Sequence, residues 1–196
     1  MDRLKYFIIN KPYGVISQFS KEGEHKTLAD LGYNFPKDVY PVGRLDTDSE
    51  GLLVLTNDKA LNNELLNPKH GHMRTYLVQL DGDITQEALD QLKDGIEIRV
   101  KKNTHFCKAI EAKKTEQASY ISERHPPIRY RANIPTSWIE IKLNEGKNRQ
   151  VRKMMAKVGF PALRLIRTSI EDIKLIDYKE VVNEIDKESC YNKLKI

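Results

Sequence analysis

The run Val151-Arg152-Lys153-Met154-Met155-Ala156-Lys157-Val158-Gly159-Phe160-Pro161-Ala162-Leu163-Arg164-Leu165-Ile166 decides the fold. Val151, Met154, Met155 and Val158 recur at i, i+3, i+4 and i+7, the spacing that gathers side chains on one face of an α-helix. Gly159 stops that helix, and Ala162–Ile166 is expected to return as a strand. Just upstream, Trp138-Ile139-Glu140-Ile141-Lys142-Leu143 alternates apolar and polar residues, the period of a half-buried strand. Farther back, His105–Ile110 reads as a strand and so does Tyr76-Leu77-Val78-Gln79-Leu80. Between these two, Thr85 caps a helix that shows Ala88, Leu89 and Leu92 on one face and ends at Gly95. The order is βαββαβ, a ferredoxin-like pattern.

A different region precedes it. Phe7-Ile8-Ile9 forms a short strand, a Gly- and Pro-rich loop follows, and Leu52-Leu53-Val54-Leu55 forms a second strand. Thr56-Asn57-Asp58 then supplies capping side chains for a short helix that Asn67-Pro68 terminates. We therefore expect an α+β chain: one domain over 1–196 with a mixed, mostly antiparallel sheet, lobes of about 1–70 and 71–180 around a central cleft, and a lysine-rich tail over 181–196.

Composition narrows the class. Of 196 residues 39% are hydrophobic and 31% charged, ordinary for a protein with a buried core. No stretch approaches the roughly 18 apolar residues of a membrane helix. Cys107 and Cys190 show neither a CxxC pair nor zinc-site spacing, which suits a reducing, cytoplasmic setting without a structural metal. Lys and Arg number 33 against 28 Asp and Glu, and the distribution of that small excess says more than its size. Lys142–Lys157 holds six bases (Lys142, Lys147, Arg149, Arg152, Lys153, Lys157) and one acid, and Arg124, Arg129 and Arg131 form a second basic cluster. Asp38–Asp58 holds five acids and one base, Arg44. A basic surface around an acidic centre suits an enzyme that grips a polyanion and acts on it with a carboxylate.

Two segments carry the chemistry. Gly43-Arg44-Leu45-Asp46-Thr47-Asp48-Ser49-Glu50-Gly51 runs straight into the apolar Leu52–Leu55 strand, so it reads either as a solvated acidic loop or as a loop presenting a carboxylate at a cleft. Leu143-Asn144-Glu145-Gly146-Lys147-Asn148-Arg149-Gln150-Val151-Arg152-Lys153 places cations at a helix start, where they oppose the helix dipole. An anion bound there would remove the conflict; a plain basic surface is the alternative. His70 and His72 lack an evident further ligand and read as loop residues.

Together with Lys11-Pro12-Tyr13-Gly14 and Arg74-Thr75-Tyr76-Leu77-Val78, these segments resemble, in order, the four motifs of the RsuA-type family of pseudouridine synthases. The resemblance extends over about Phe7–Lys174 and is similar to a member without an N-terminal S4 RNA-binding domain. It implies the pseudouridine synthase fold and an isomerase that breaks the C1′–N1 bond of a uridine, turns the uracil and joins C1′ to C5. It makes Asp46 the nucleophile, Tyr76 the residue stacked on the uracil and Arg152 the partner of the Asp46 carboxylate. Arg44 would fill the space left by the flipped base, and RNA would be held by Lys147, Asn148, Arg149, Gln150 and Lys153 with Arg129 and Arg131. The isomerisation exchanges no electrons or groups with a cofactor, so none is expected. The implied partner is 23S rRNA or the assembling large ribosomal subunit, met by a monomer. Two other readings stand beside it: an RNA-binding assembly factor without essential turnover, and a synthase acting on another RNA.

Overall fold

The structure is a computed structural model that describes residues 4–128 and 134–196. In chain order the elements are β1 (Tyr6–Lys11), β2 (Tyr40–Pro41), β3 (Glu50–Thr56), α1 (Lys59–Leu66), β4 (Arg74–Asp81), α2 (Gln86–Asp94), β5 (Ile96–Val100), β6 (Asn103–Cys107), β7 (Glu111–Thr115), β8 (Thr136–Leu143), α3 (Gln150–Lys157), β9 (Ala162–Ile170), β10 (Ile173–Lys174), β11 (Val182–Ile185) and α4 (Lys187–Leu194). The chain divides into two compact units, Met1–His72 with Arg167–Ile196, and Met73–Ile166.

In the first unit β1 lies between two antiparallel neighbours, β3 and β11. A strand with partners on both edges and cover on both faces needs a continuous apolar run, and Tyr6, Phe7, Ile8 and Ile9 are all buried, as are Leu52, Leu53, Val54 and Leu55 of β3. At roughly 1.5–3 kcal/mol for each large side chain removed from water, these two strands hold the unit together. Phe7, Ile9, Leu28, Val39, Leu45, Leu53 and Leu55 form one core cluster, so the start of the acidic loop is anchored in it through Leu45. Asp58 caps α1 by accepting from Ala60 N–H and Leu61 N–H, and the helix ends at Asn67 as the sequence indicates.

The expected tail over 181–196 is not one. Residues Val182–Ile185 pair with β1, and α4, capped by Asp186, buries Cys190 and Leu194. The strand is four residues long and half-buried, and the helix buries one narrow face, so neither leaves a strong apolar period.

The second unit has the strand order β9-β4-β8-β7, which is the ferredoxin-like arrangement. Thr85 accepts from Ala88 N–H at the start of α2, Gly95 closes it, and Ala88, Leu89 and Leu92 are buried. Val151, Met154 and Met155 of α3 join these residues, together with Tyr76, Val78, Leu80, Ile139, Ile141 and Leu143, in one core. One strand is corrected. The expected strand His105–Ile110 is β6, ending at Cys107, and it pairs with β5 in a separate hairpin. The second strand of the ferredoxin-like order is β7, paired with β8. It buries only Ala112 and carries Glu111, Lys113 and Lys114, so no hydrophobic alternation marks it. Cross-strand ion pairs Lys113–Glu140 and Lys142–Glu111 stabilise it instead.

Candidate active site

In the first unit the acidic loop is held from several sides before it reaches β3. Ser17 Oγ donates to the Leu45 carbonyl (2.8 Å) and accepts from Leu45 N–H (3.1 Å), so one hydroxyl clamps both backbone groups of the residue before Asp46. Gly14 N–H donates to the Thr47 carbonyl (2.8 Å), and Ser49 N–H closes a turn on the Asp46 carbonyl (3.0 Å). Gly43 is left-handed (φ 72°), and a Cβ there would lie 3.0 Å from Leu66 Cδ2, so the loop entrance requires glycine. Asp46 is half-buried and Arg44 exposed. These bonds fix the backbone on both sides of Asp46, so the residue has a defined place in the loop. Arg44 also borders an apolar groove of about 770 Å³ walled by Phe19, Phe35, Val39 and Tyr40.

Lys11 is the residue whose part sequence reading missed. It sits at the end of β1 with no exposed surface, and its ammonium donates to the carbonyls of Pro12 (2.9 Å) and Val15 (2.6 Å). Burial lowers its pKa to about 8, against the pull of Glu50, Asp48 and Asp46, which favour its charged form. The charge of Lys11 is therefore felt by all three carboxylates of the acidic loop. The available signal was a lysine closing the otherwise apolar run Phe7-Ile8-Ile9.

In the second unit Tyr76 lies on β4 opposite Ile141 and is 8% exposed. The basic segment is not quite as expected: α3 begins at Gln150, and Arg149 is its cap in the left-handed region (φ 52°), without a side-chain capping bond. Lys147, Asn148 and Arg149 thus stand on the loop before the helix and are exposed. Gln150, expected to touch RNA, is buried and serves that loop. Its amide accepts from Lys147 N–H (2.8 Å) and donates to Glu145 (2.7 Å), while Glu145 in turn pairs with His105 (2.9 Å). The bonds of Gln150 thus tie down the loop before α3, whose N-cap Arg149 makes no side-chain capping bond. Arg152 is half-buried and donates to the Ala162 carbonyl (3.1 Å), and Lys153 donates to the Asn148 carbonyl (2.9 Å). Arg129 and Arg131 lie outside the described residues.

Comparison with known proteins bears on what this arrangement does. Residues 5–157 match the family of RNA pseudouridylate synthases. The chain is 49% identical over 173 residues to the ribosomal large subunit pseudouridine synthase E of Vibrio parahaemolyticus, covering 88% of this chain and 70% of that one. It is 45% identical over 170 residues to the protein of the same name from Xanthomonas axonopodis pv. citri, covering 86% of each. Among solved structures, one described as a pseudouridylate synthase superposes with a TM-score of 0.75 at 24% identity, covering 99% of this chain and 75% of that one, a likeness of fold.

Proposed function

Since the chain belongs to the RNA pseudouridylate synthase family, we propose that it isomerises one uridine of 23S rRNA, with Asp46 as nucleophile. The observation that supports the reading is the pinned loop: Leu45 and Thr47, on either side of Asp46, are both bonded to residues 14–17, so the backbone that carries the half-buried Asp46 is held in place. The target atoms of uridine are concealed in stacked RNA, so the base must be flipped out at a cost of a few kcal/mol, offset by stacking and phosphate contacts.

In this reading Tyr76 stacks on the uracil and Arg152 keeps the Asp46 carboxylate ionised and directed while water is excluded. Asp46 attacks at C1′ or draws a proton that leads to a glycal; in both routes N1 leaves, the uracil turns, and C5 takes its place at C1′. As C5 bonds to C1′ the Asp46–C1′ bond breaks, or in the glycal route the C2′ proton is returned; C5 then loses its proton and N1 takes one up, so the atoms of substrate and product balance. Arg44 fills the space of the flipped base, and Lys147, Asn148, Arg149 and Lys153 hold phosphates, joined by Arg129 and Arg131. The relatives' names suit work on ribosomal RNA, and this reading places the protein in the cytoplasm, acting as a monomer.

The test is Asp46→Asn. Pseudouridine formation, read by carbodiimide mapping of 23S rRNA from a deletion strain carrying wild-type or variant gene, should fall by about 10⁴-fold or more, with RNA affinity within a few-fold. A variant that restores the modification refutes Asp46 as nucleophile, and maps identical with and without the gene refute the 23S substrate.

A further inference from the structure

We propose that Glu64, His70 and His72 form a binding site for one late first-row divalent cation, with zinc as the probe, and that Glu171 orients His72 from behind. The site lies wholly in the first unit and uses no residue of the proposed catalytic set. One donor atom from each of the three side chains falls within 4.8 Å of the others. Glu64 Oε1 is 2.6 Å from His70 Nδ1 and 3.9 Å from His72 Nε2, so one carboxylate oxygen faces both rings. Donors around a tetrahedral zinc at about 2.0–2.1 Å stand about 3.4 Å apart. The observed spacings, 2.6 and 3.9 Å to the carboxylate oxygen with all three donors within 4.8 Å, lie on both sides of that value, and His70 Nδ1 also stands 3.1 Å from the Glu64 carbonyl, a contact that a cation would replace.

The outer partner supports the assignment. Glu171 Oε1 is 3.4 Å from His72 Nδ1, while its other oxygen is 3.6 Å from Lys195 Nζ. A carboxylate that takes the Nδ1 proton directs Nε2 inward as a ligand, the carboxylate–histidine–metal arrangement that fixes tautomer and ring angle. His72 is 8% exposed, which holds its ring in place. Glu64 and His70 keep about a third of their side chains in solvent (36% and 34%), leaving a path of entry and a fourth position for water.

The backbone is already set for this. Glu64 lies in the last turn of α1, and Asn67 closes the helix by donating from its N–H to the Asn63 carbonyl (3.1 Å). His70 N–H then returns to the Asn67 carbonyl (3.1 Å), and Lys69 N–H bonds Asn67 Oδ1 (3.1 Å). This turn brings the two histidines back to the helix end. Two imidazoles with one carboxylate favour zinc, cobalt, nickel or copper over magnesium or calcium, which prefer all-oxygen sets. The cation would clamp α1, the segment leaving this unit at His72 and, through Glu171, the turn after β9.

The experiment uses the full chain with any affinity tag removed, stripped by chelator and titrated with zinc against a chromophoric chelator at neutral pH. One equivalent is expected to bind with a dissociation constant of about a micromolar or tighter. His70→Ala and His72→Gln should each weaken it at least tenfold, and Glu171→Gln by about tenfold with the stoichiometry kept. Cobalt in place of zinc should give the visible absorption of a four-coordinate site. His70 is exposed, so its variant keeps the test open should His72→Gln disturb folding. The absence of saturable binding up to millimolar zinc, or an affinity unchanged in His70→Ala, overturns the site. The readout is binding, independent of RNA modification.

Discussion

Replacing Lys11 by methionine should change how the stability of the protein depends on pH. The lysine has no exposed surface, and its pKa is lowered to about 8 from an ordinary 10.5. Between those values the unfolded chain holds the proton and the folded chain has lost it. Stability therefore rises with pH through the window, the slope being set by protons bound in the unfolded state minus those bound in the folded state. At about 1.4 kcal/mol for each pH unit, the gap is worth about 3 kcal/mol.

Lys11→Met removes this contribution, so the stability of wild type relative to variant should be flat below pH 8 and climb by about 3 kcal/mol towards pH 10.5. The difference at pH 7 alone is a poor test. Removing the buried charge stabilises, while depriving the Pro12 and Val15 carbonyls of their donor costs about 1–3 kcal/mol each, and the two oppose. Urea denaturation of both proteins at pH 7, 8, 9 and 10 gives the comparison, with other titrations cancelling in the difference. A difference independent of pH, or one falling as pH rises, refutes a lysine that is buried beside the acidic loop with a lowered pKa.

Two further outcomes follow from the first unit. Asp58 accepts from Tyr6 and Tyr191 hydroxyls, both at 2.7 Å, as well as from the start of α1. Burial opposes its ionisation, but these bonds hold its pKa below the usual 3.8, while burial and the bond to Asp58 push Tyr191 up to about 12. Asp58→Asn should cost about 2–4 kcal/mol at neutral pH by urea denaturation, and the loss should shrink only below pH 3.8, where the wild-type carboxylate itself protonates. An unchanged midpoint would show these bonds to be of no consequence. Deleting residues 181–196 removes β11 from the edge of β1 and the buried Cys190 and Leu194. The shortened protein should lose more than about 3 kcal/mol and tend to aggregate through the bared edge, as seen by thermal melting and light scattering. A melting temperature within a degree or two of the full chain would make those residues a tail after all.

The elements most legible in the sequence were those whose period is written in their own side chains. Val151, Met154 and Met155 named one helix, Ala88, Leu89 and Leu92 another, and Leu52–Leu55 a strand buried on both faces; Thr85 and Asp58 marked their caps. A local pattern suffices because capping and amphipathic burial are decided within a few residues. Asp46 stood out for the same reason, as an acid placed against an apolar strand within a recognisable run of motifs.

Other features depended on partners distant in the chain. Strand β7 is polar and exists because Glu140 and Lys142 of β8 pair its charges. Strand β11 exists because β1, some 175 residues earlier, offers a free edge. Gln150 is buried because its amide binds Lys147 and Glu145, and Lys11, one letter of a motif in the sequence, has its charge buried beside Asp46, Asp48 and Glu50. Likewise His70 and His72 gained a third donor only when α1 turned back at Asn67. The sequence by itself determined the strongly periodic helices, the apolar strands and the place of the acidic loop, because those follow from local pattern. The tertiary structure alone decided which polar groups are buried and with whom, because desolvation and charge pairing act between residues that only the fold makes neighbours.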